Sequence, residues 1–205
     1  MTAESFEGSI LSSVAPELDD VVSEAITELL GAPPIRVGCD IRTGLTFDVK
    51  NPAGLGADRI VDAAYAASAY PLPAMTVDLG TATTVNVIDE GGVFMGGIIC
   101  PGVETSLLAL TTRTSKLPMI IPQKPEHLIG RDTEECMLSG TIMGAAAMID
   151  GFAERIEERV GHPVTLAITG GLSYLVAPLC RYPHIREPEL LSKGLYLLYE
   201  LNCGR

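Results

Sequence analysis

Tryptophan is absent from this chain, and Phe and Tyr make up only 5% of its 205 residues, so its cores must be aliphatic. Basic residues are scarce as well. Fourteen Lys and Arg stand against 26 Asp and Glu, a formal charge of −12. That balance excludes the clustered cations on which binding to a phosphate backbone depends, so no nucleic-acid partner is expected. The five cysteines (Cys39, Cys100, Cys136, Cys180, Cys203) are scattered and never form Cys-x-x-Cys, which excludes a zinc ribbon and a disulfide framework. No basic-then-apolar leader opens the chain, and no apolar run reads as long enough to cross a bilayer. The expectation is a cytoplasmic protein with no membrane partner. What is abundant fits a folded globular chain: 47% hydrophobic residues, 20% charged, and 21 Gly with 14 Pro to make many turns. Backbone amides or a metal ion can still hold a small anionic ligand without net positive charge.

Residues 9–14 read as a short buried strand, and Leu18–Leu30 as a helix with Leu18, Val21, Val22, Ala25, Ile26, Leu29 and Leu30 on one face. Gly31 and Pro33-Pro34 end it, and Ile35–Val37 is the next strand. A loop, Asn51–Arg59, then enters a small-residue helix over Ala57–Tyr70. Asp58 in its first turn suits the positive end of the helix dipole. Arg59 does not, and an Asp-Arg pair at the mouth of a Gly-rich loop can receive a hydroxyl and an anionic group side by side. After Pro71-Leu72-Pro73 come three β-rich runs, Ala74–Leu79, Thr83–Asp89 and Val93–Cys100, an antiparallel meander.

The turn between the first two runs, Asp78-Leu79-Gly80-Thr81-Ala82-Thr83-Thr84, supports two readings. Its N–H groups and hydroxyls can lie against phosphate while Asp78 faces a cation, or they can merely satisfy an ordinary hairpin. Gly96–Gly102 leads into a helix over Val103–Thr112. A long Pro-punctuated stretch follows, and then a helix capped by Asp132 or Thr133 with acids in its first turn. Met137, Gly140, Thr141, Gly144, Ala145 and Met148 give that helix a small-residue face suited to tight contact with another helix, in this chain or a second copy. Val164–Thr169, Gly170-Gly171 and Leu172–Leu179 read as strand, turn and helix. Pro188–Leu201 closes the chain as an amphipathic helix. His127, His162 and His184 are isolated and read as surface or capping residues.

The ordered set Gly56-Ala57-Asp58-Arg59, Asp78–Thr84, Gly96–Gly102, Gly130-Arg131-Asp132-Thr133 and Thr169-Gly170-Gly171 resembles the type III pantothenate kinases from about residue 9 onward. The resemblance implies an α/β, actin-like (ribonuclease-H-like) two-lobe kinase fold. Residues 1–73 would form an incomplete first lobe with the substrate loop, and residues 74–205 the second, the last helix packing back on the first. It implies ATP-dependent phosphorylation of pantothenate, the first step of coenzyme A synthesis, by a homodimer. Asp58 would be the base at the primary hydroxyl, with Gly56, Ala57 and Arg59 in the same loop and Thr133 helping to hold pantothenate. Gly80 and Thr81 would touch the ATP phosphates, Gly170 and Gly171 would lie by the adenosine, and Asp78 would face K+ or NH4+; Mg2+ would accompany the ATP.

Members of the family begin with a hairpin carrying Asp-x-Gly-Asn-Thr, and no such motif occurs in these 205 residues. The expectation drawn from that difference is a truncated or mis-started chain with weak ATP binding and little kinase activity. Two other readings stand beside the kinase. One is a non-catalytic relative acting as a binding or regulatory dimer, since the family has also been labelled as accessory transcription factors. The other is an actin-like kinase for a different small hydroxylated acid, against which the Gly56–Arg59 loop argues.

Overall fold

The computed structural model describes residues 6–203. Strand β1 (Ile10–Leu11) pairs in parallel with β2 (Ile35–Arg36), and helix α1 (Pro16–Leu30) is the crossover between them. The expected buried strand over residues 9–14 is corrected here. Only Ile10 and Leu11 pair, and both are half-exposed, because among the described residues β2 is their one sheet neighbour.

The second sheet has six strands in the order β3-β6-β5-β4-β7-β8. They are β3 (Thr46–Phe47), β4 (Ala74–Leu79), β5 (Ala82–Ile88), β6 (Val93–Pro101), β7 (Thr165–Thr169) and β8 (His184–Arg186). β4, β5 and β6 form the expected antiparallel meander. β7 joins β4 in parallel, β8 joins β7 in parallel, and β3 joins β6 in parallel. A three-strand meander extended by two parallel strands on the side of its first strand is the ribonuclease-H-like pattern of the actin-like fold. The short edge strands β3 and β8 carry too few residues for an alternating pattern to reveal them.

Side chains alternate across β4, and the alternation decides what each face meets. Met75, Val77 and Leu79 point into the main core. There they meet helix α3 (Val103–Arg113) and a long rod built from α4 (Thr133–Leu138), a π-helical turn (Ser139–Met143) and α5 (Gly144–Val160). Ile142 and Ile149 of the rod are fully buried, each worth about 1.5–3 kcal/mol of apolar burial. Ala74 faces the other way, toward Ala63 and Ala66 of helix α2 (Ala57–Ala69). The closing helix α7 (Leu190–Asn202) lies along α2, with Leu198 buried against Val61 and Ala64. The expected helix over Leu172–Leu179 is shorter: α6 (Ser173–Val176), then a 3-10 turn through Pro178.

The rod's start follows the expected capping. Asp132 accepts a hydrogen bond from the Glu135 N–H at 2.9 Å, and the Glu135 carboxylate reaches back to the Arg131 N–H at 2.8 Å. Joined through the π turn, Thr133–Val160 makes one 28-residue helix whose mean hydropathy reaches 1.4 over 18 residues. By length and composition it could span a bilayer, which corrects the expectation that no such run exists. Its apolar residues line the main core against the sheet, and this accounts for its hydropathy.

Candidate functional site

The C-terminal ends of β4 and β7 lie side by side, with Asp78 opposite Thr84 on one flank and Thr169 on the other. In open α/β sheets ligands gather outside these strand ends. The Gly170 turn sits directly on this spot. A side chain at Gly170 would meet the Asp78 carboxylate and the Leu79 backbone, and its φ of 93° is one that favours glycine. Gly171 beside it is exposed, with open space where a side chain would stand.

On the other flank the Gly80-Thr81 turn is braced from below. The Thr81 carbonyl accepts from the Gly102 N–H at 3.0 Å and from the Thr105 hydroxyl at 2.6 Å, so the turn is seated on the first residues of α3. Thr81 itself remains exposed. The Gly80 N–H donates to the Ala82 carbonyl at 3.2 Å, so this amide is engaged within the hairpin.

Helix α2 brings Asp58 and Arg59 to the α2 face of the same sheet. Asp58 accepts from the Arg59 N–H at 2.8 Å. A side chain at Gly56 would strike the Asp58 carboxylate and come up to Val14, in the segment that follows β1. Ala57 is buried beneath the loop. Arg59 turns inward. Its Nε donates to Asn86 Oδ1 at 2.7 Å, one terminal nitrogen reaches the Val85 carbonyl at 3.4 Å, and the guanidinium lies 5.6 Å from the centre of the Phe94 ring. Burial lowers the Arg59 pKa, and Asp58 opposes that shift.

One acid in this region escaped the sequence reading. Asp62, one helical turn after Asp58, is 1% exposed, and its Oδ1 has no hydrogen-bond partner. Burial first, then the charges of Asp78 and Asp58, raise its pKa to about 8, so it is protonated at neutral pH. Burial and Asp58 raise the Asp78 pKa as well. The i, i+4 spacing of Asp58 and Asp62 is the signal that could have flagged it. Among the described residues no group of three or more His, Cys, Asp or Glu side chains converges as a metal cage.

Thr133 stands apart from these groups. It lines an open hollow of about 700 Å³ with Arg131, Asp132, Gly140, Thr141 and Leu110, on the α3 side of the sheet. Asp58 is on the α2 side. The sheet lies between the two within one chain: Asp58 and Arg59 stand on its α2 face, Asp78, Gly80, Thr81, Gly170 and Gly171 gather at its strand ends, and Thr133 lies on the α3 side.

A hydroxyl-bearing hairpin turn, a Gly-Gly turn packed on an acid and a helix-borne Asp-Arg pair are all set on a ribonuclease-H-like sheet, the fold of the actin-like class. Comparison with known proteins narrows the class. The family model of type III pantothenate kinase matches residues 1–155. The type III pantothenate kinase of Exiguobacterium sibiricum is 40% identical over 202 residues, covering 98% of this chain and 79% of that protein. The enzyme of the same name from Moorella thermoacetica is 37% identical over 196 residues, covering 96% and 77%. The chain belongs to the type III pantothenate kinase family. A solved structure described as a conserved Baf family transcriptional activator from Campylobacter jejuni shares the fold. It has a TM-score of 0.67 at 19% identity, covering 98% of this chain and 86% of that one.

Proposed function

We propose that the chain phosphorylates pantothenate with ATP, giving 4'-phosphopantothenate in the first step of coenzyme A synthesis, and that Asp58 serves as the base. The observation that carries this reading is the placement of Asp58 in the first turn of α2, on the sheet face where Asp78 stands near the end of β4 and close enough for its charge to help raise the Asp78 pKa. Phosphoryl transfer needs mostly positioning and charge compensation. Asp58 would orient the primary hydroxyl and take its proton late in transfer. Gly56, Ala57 and Arg59 would shape the pantothenate loop. Gly80 and Thr81 would meet the phosphates from the hairpin, and Gly170-Gly171 would give the adenosine a flat, open backbone face.

Asp78 would face a monovalent cation, K+ or NH4+. A cation there would offset the cost of its ionised form, which burial and Asp58 now make high. With no group of three His, Cys, Asp or Glu converging among the described residues, Mg2+ would be held largely by the ATP phosphates, the arrangement magnesium commonly adopts. We assign residues 1–73 and 74–205 to two lobes. A homodimer in the cytoplasm completes the reading. Gly140 and Gly144 leave an open outer stripe on the rod, and a second copy packed there is the means by which a Thr133 could reach pantothenate.

The test is pantothenate-dependent ADP release by the wild type and by Asp58→Asn. The variant should lose on the order of 10²–10⁴-fold in kcat with its circular dichroism unchanged. Equal turnover in the two proteins removes Asp58 from this role.

A further inference from the structure

Asn86 is fully buried at the middle of β5, on the α2 face of the sheet, between Val85 and Val87, which turn to the main core. A polar amide in such a place costs stability unless its hydrogen bonds are made. Both of its ends are used. Oδ1 accepts from Arg59 Nε at 2.7 Å, and Nδ2 donates to the Thr76 hydroxyl at 3.1 Å. The amide's orientation follows from chemistry, because a guanidinium only donates and so must face the oxygen. Thr76 is the direct cross-strand neighbour of Asn86 on β4, two residues before Asp78. On the other side Asn86 pairs with Gly97 of β6, where any side chain would strike the Arg59 guanidinium. The glycine leaves the arginine room to lie flat on the sheet beside Phe94.

We propose that Asn86 is a positioning residue for phosphoryl transfer. Its amide locks Arg59 onto the sheet and thereby sets the first turn of α2, which carries Asp58, in register with the strand that delivers Asp78. The inference rests on the reading of Gly56–Arg59 as the pantothenate loop. Arg59 then acts through its anchorage as well as through any contact with substrate. Asn86, buried beneath it, touches neither substrate and works through Arg59. Loosening the anchor should let the loop drift while the hairpin and the Gly170 turn, held from the other face and by β7, stay in place. Pantothenate binding should therefore suffer and ATP binding should not.

The experiment measures KM for pantothenate and for ATP separately in the wild type, Asn86→Ser, Arg59→Lys and the double variant, with thermal unfolding of each. Serine is too short to span to Arg59. Asn86→Ser should raise the pantothenate KM about tenfold, as a displaced positioning loop does, and leave the ATP KM within about twofold. The double variant should be no worse than Arg59→Lys alone, because the two residues act as one unit. Parallel changes in both KM values, or additive effects in the cycle, overturn the proposal and leave Asn86 a purely structural residue. Should Asn86→Ser fail to fold, Thr76→Val, which keeps shape and breaks only the second link, should raise the pantothenate KM about threefold. An unchanged value there overturns the proposal too. Direct pantothenate binding by calorimetry tells the two failures apart: a wild type that binds no pantothenate sinks the pantothenate reading and this inference with it, whereas binding that Asn86→Ser leaves unchanged sinks this inference alone.

Discussion

Helix α1 and the α4–α5 rod carry similar apolar periodicity, yet they meet different surroundings. The rod lays Met137, Leu138, Ile142, Ala146 and Ile149 against the six-stranded sheet, and all are buried. In α1 only Ser23 is buried, while Val21 is 63% exposed and Leu29 82%. Ser23 is fixed by Arg36, whose Nε donates to its hydroxyl at 3.0 Å while the guanidinium also pairs with Asp20 at 2.9 Å. A two-stranded sheet offers too little surface to cover a four-turn helix, whereas six strands cover the rod. Periodicity therefore says which face a helix would bury; the neighbouring sheet decides whether it does.

The sharpest way to break this contrast is to cut a side chain from the rod. Ile142→Ala should cost about 2–5 kcal/mol, read from denaturant midpoints at unchanged slope. A loss below about 1 kcal/mol would mean that the rod is no better packed than α1.

A smaller effect is expected at the seam between α2 and the sheet. The folded pKa of Asp62 is raised to about 8, well above the unfolded carboxylate near 4. Between those values the folded state holds the extra proton, so stability falls as pH rises from about 4 to about 8. Asp62→Asn should remove that fall. It should match the wild type near pH 4 and exceed it at pH 8 by on the order of 1–3 kcal/mol. Identical pH slopes for the two proteins would show that Asp62 is ionised in the fold.

The smallest effect belongs to α1. Leu29→Ser should change stability by less than about 0.5 kcal/mol, since Leu29 stands exposed among the described residues and has little packing to lose. A loss of about 2 kcal/mol or more in solution would reveal that the α1 face is covered there, and would erase the difference between the two helices.

Much of the fold was legible because its signals are local. The three strands of the meander, the start of α2 and the Asp132 cap followed from alternation, glycine placement and capping chemistry. The candidate site was legible as an ordered set of motifs, though not in its geometry. Nothing in Arg59 announced that its guanidinium would lie on Asn86 rather than stand free, since residues 27 apart meet only once β5 is placed beneath α2. Asp62 is one polar residue in an alanine-rich helix, and no local signal singles it out as buried. Its burial depends on which side of α2 faces β4, and its shifted pKa depends on Asp78 arriving from another element. The π turn at Ser139–Met143 was likewise hidden, because one extra residue in a helical turn leaves no compositional mark.

By itself the sequence determined the class of elements, the acid-rich, cation-poor character and the motif order that marks the family, because each depends on residues close in the chain. Only the tertiary structure decided which acids share a neighbourhood. It set Asp58, Asp62 and Asp78 together across the α2–β4 contact and turned Thr133 to the opposite face. The physical reason is that the sheet has two faces: alternation sends Asp78 to the one opposite Val77 and Leu79, and only the packed helices reveal which face Asp58, Asp62 and Thr133 each meet.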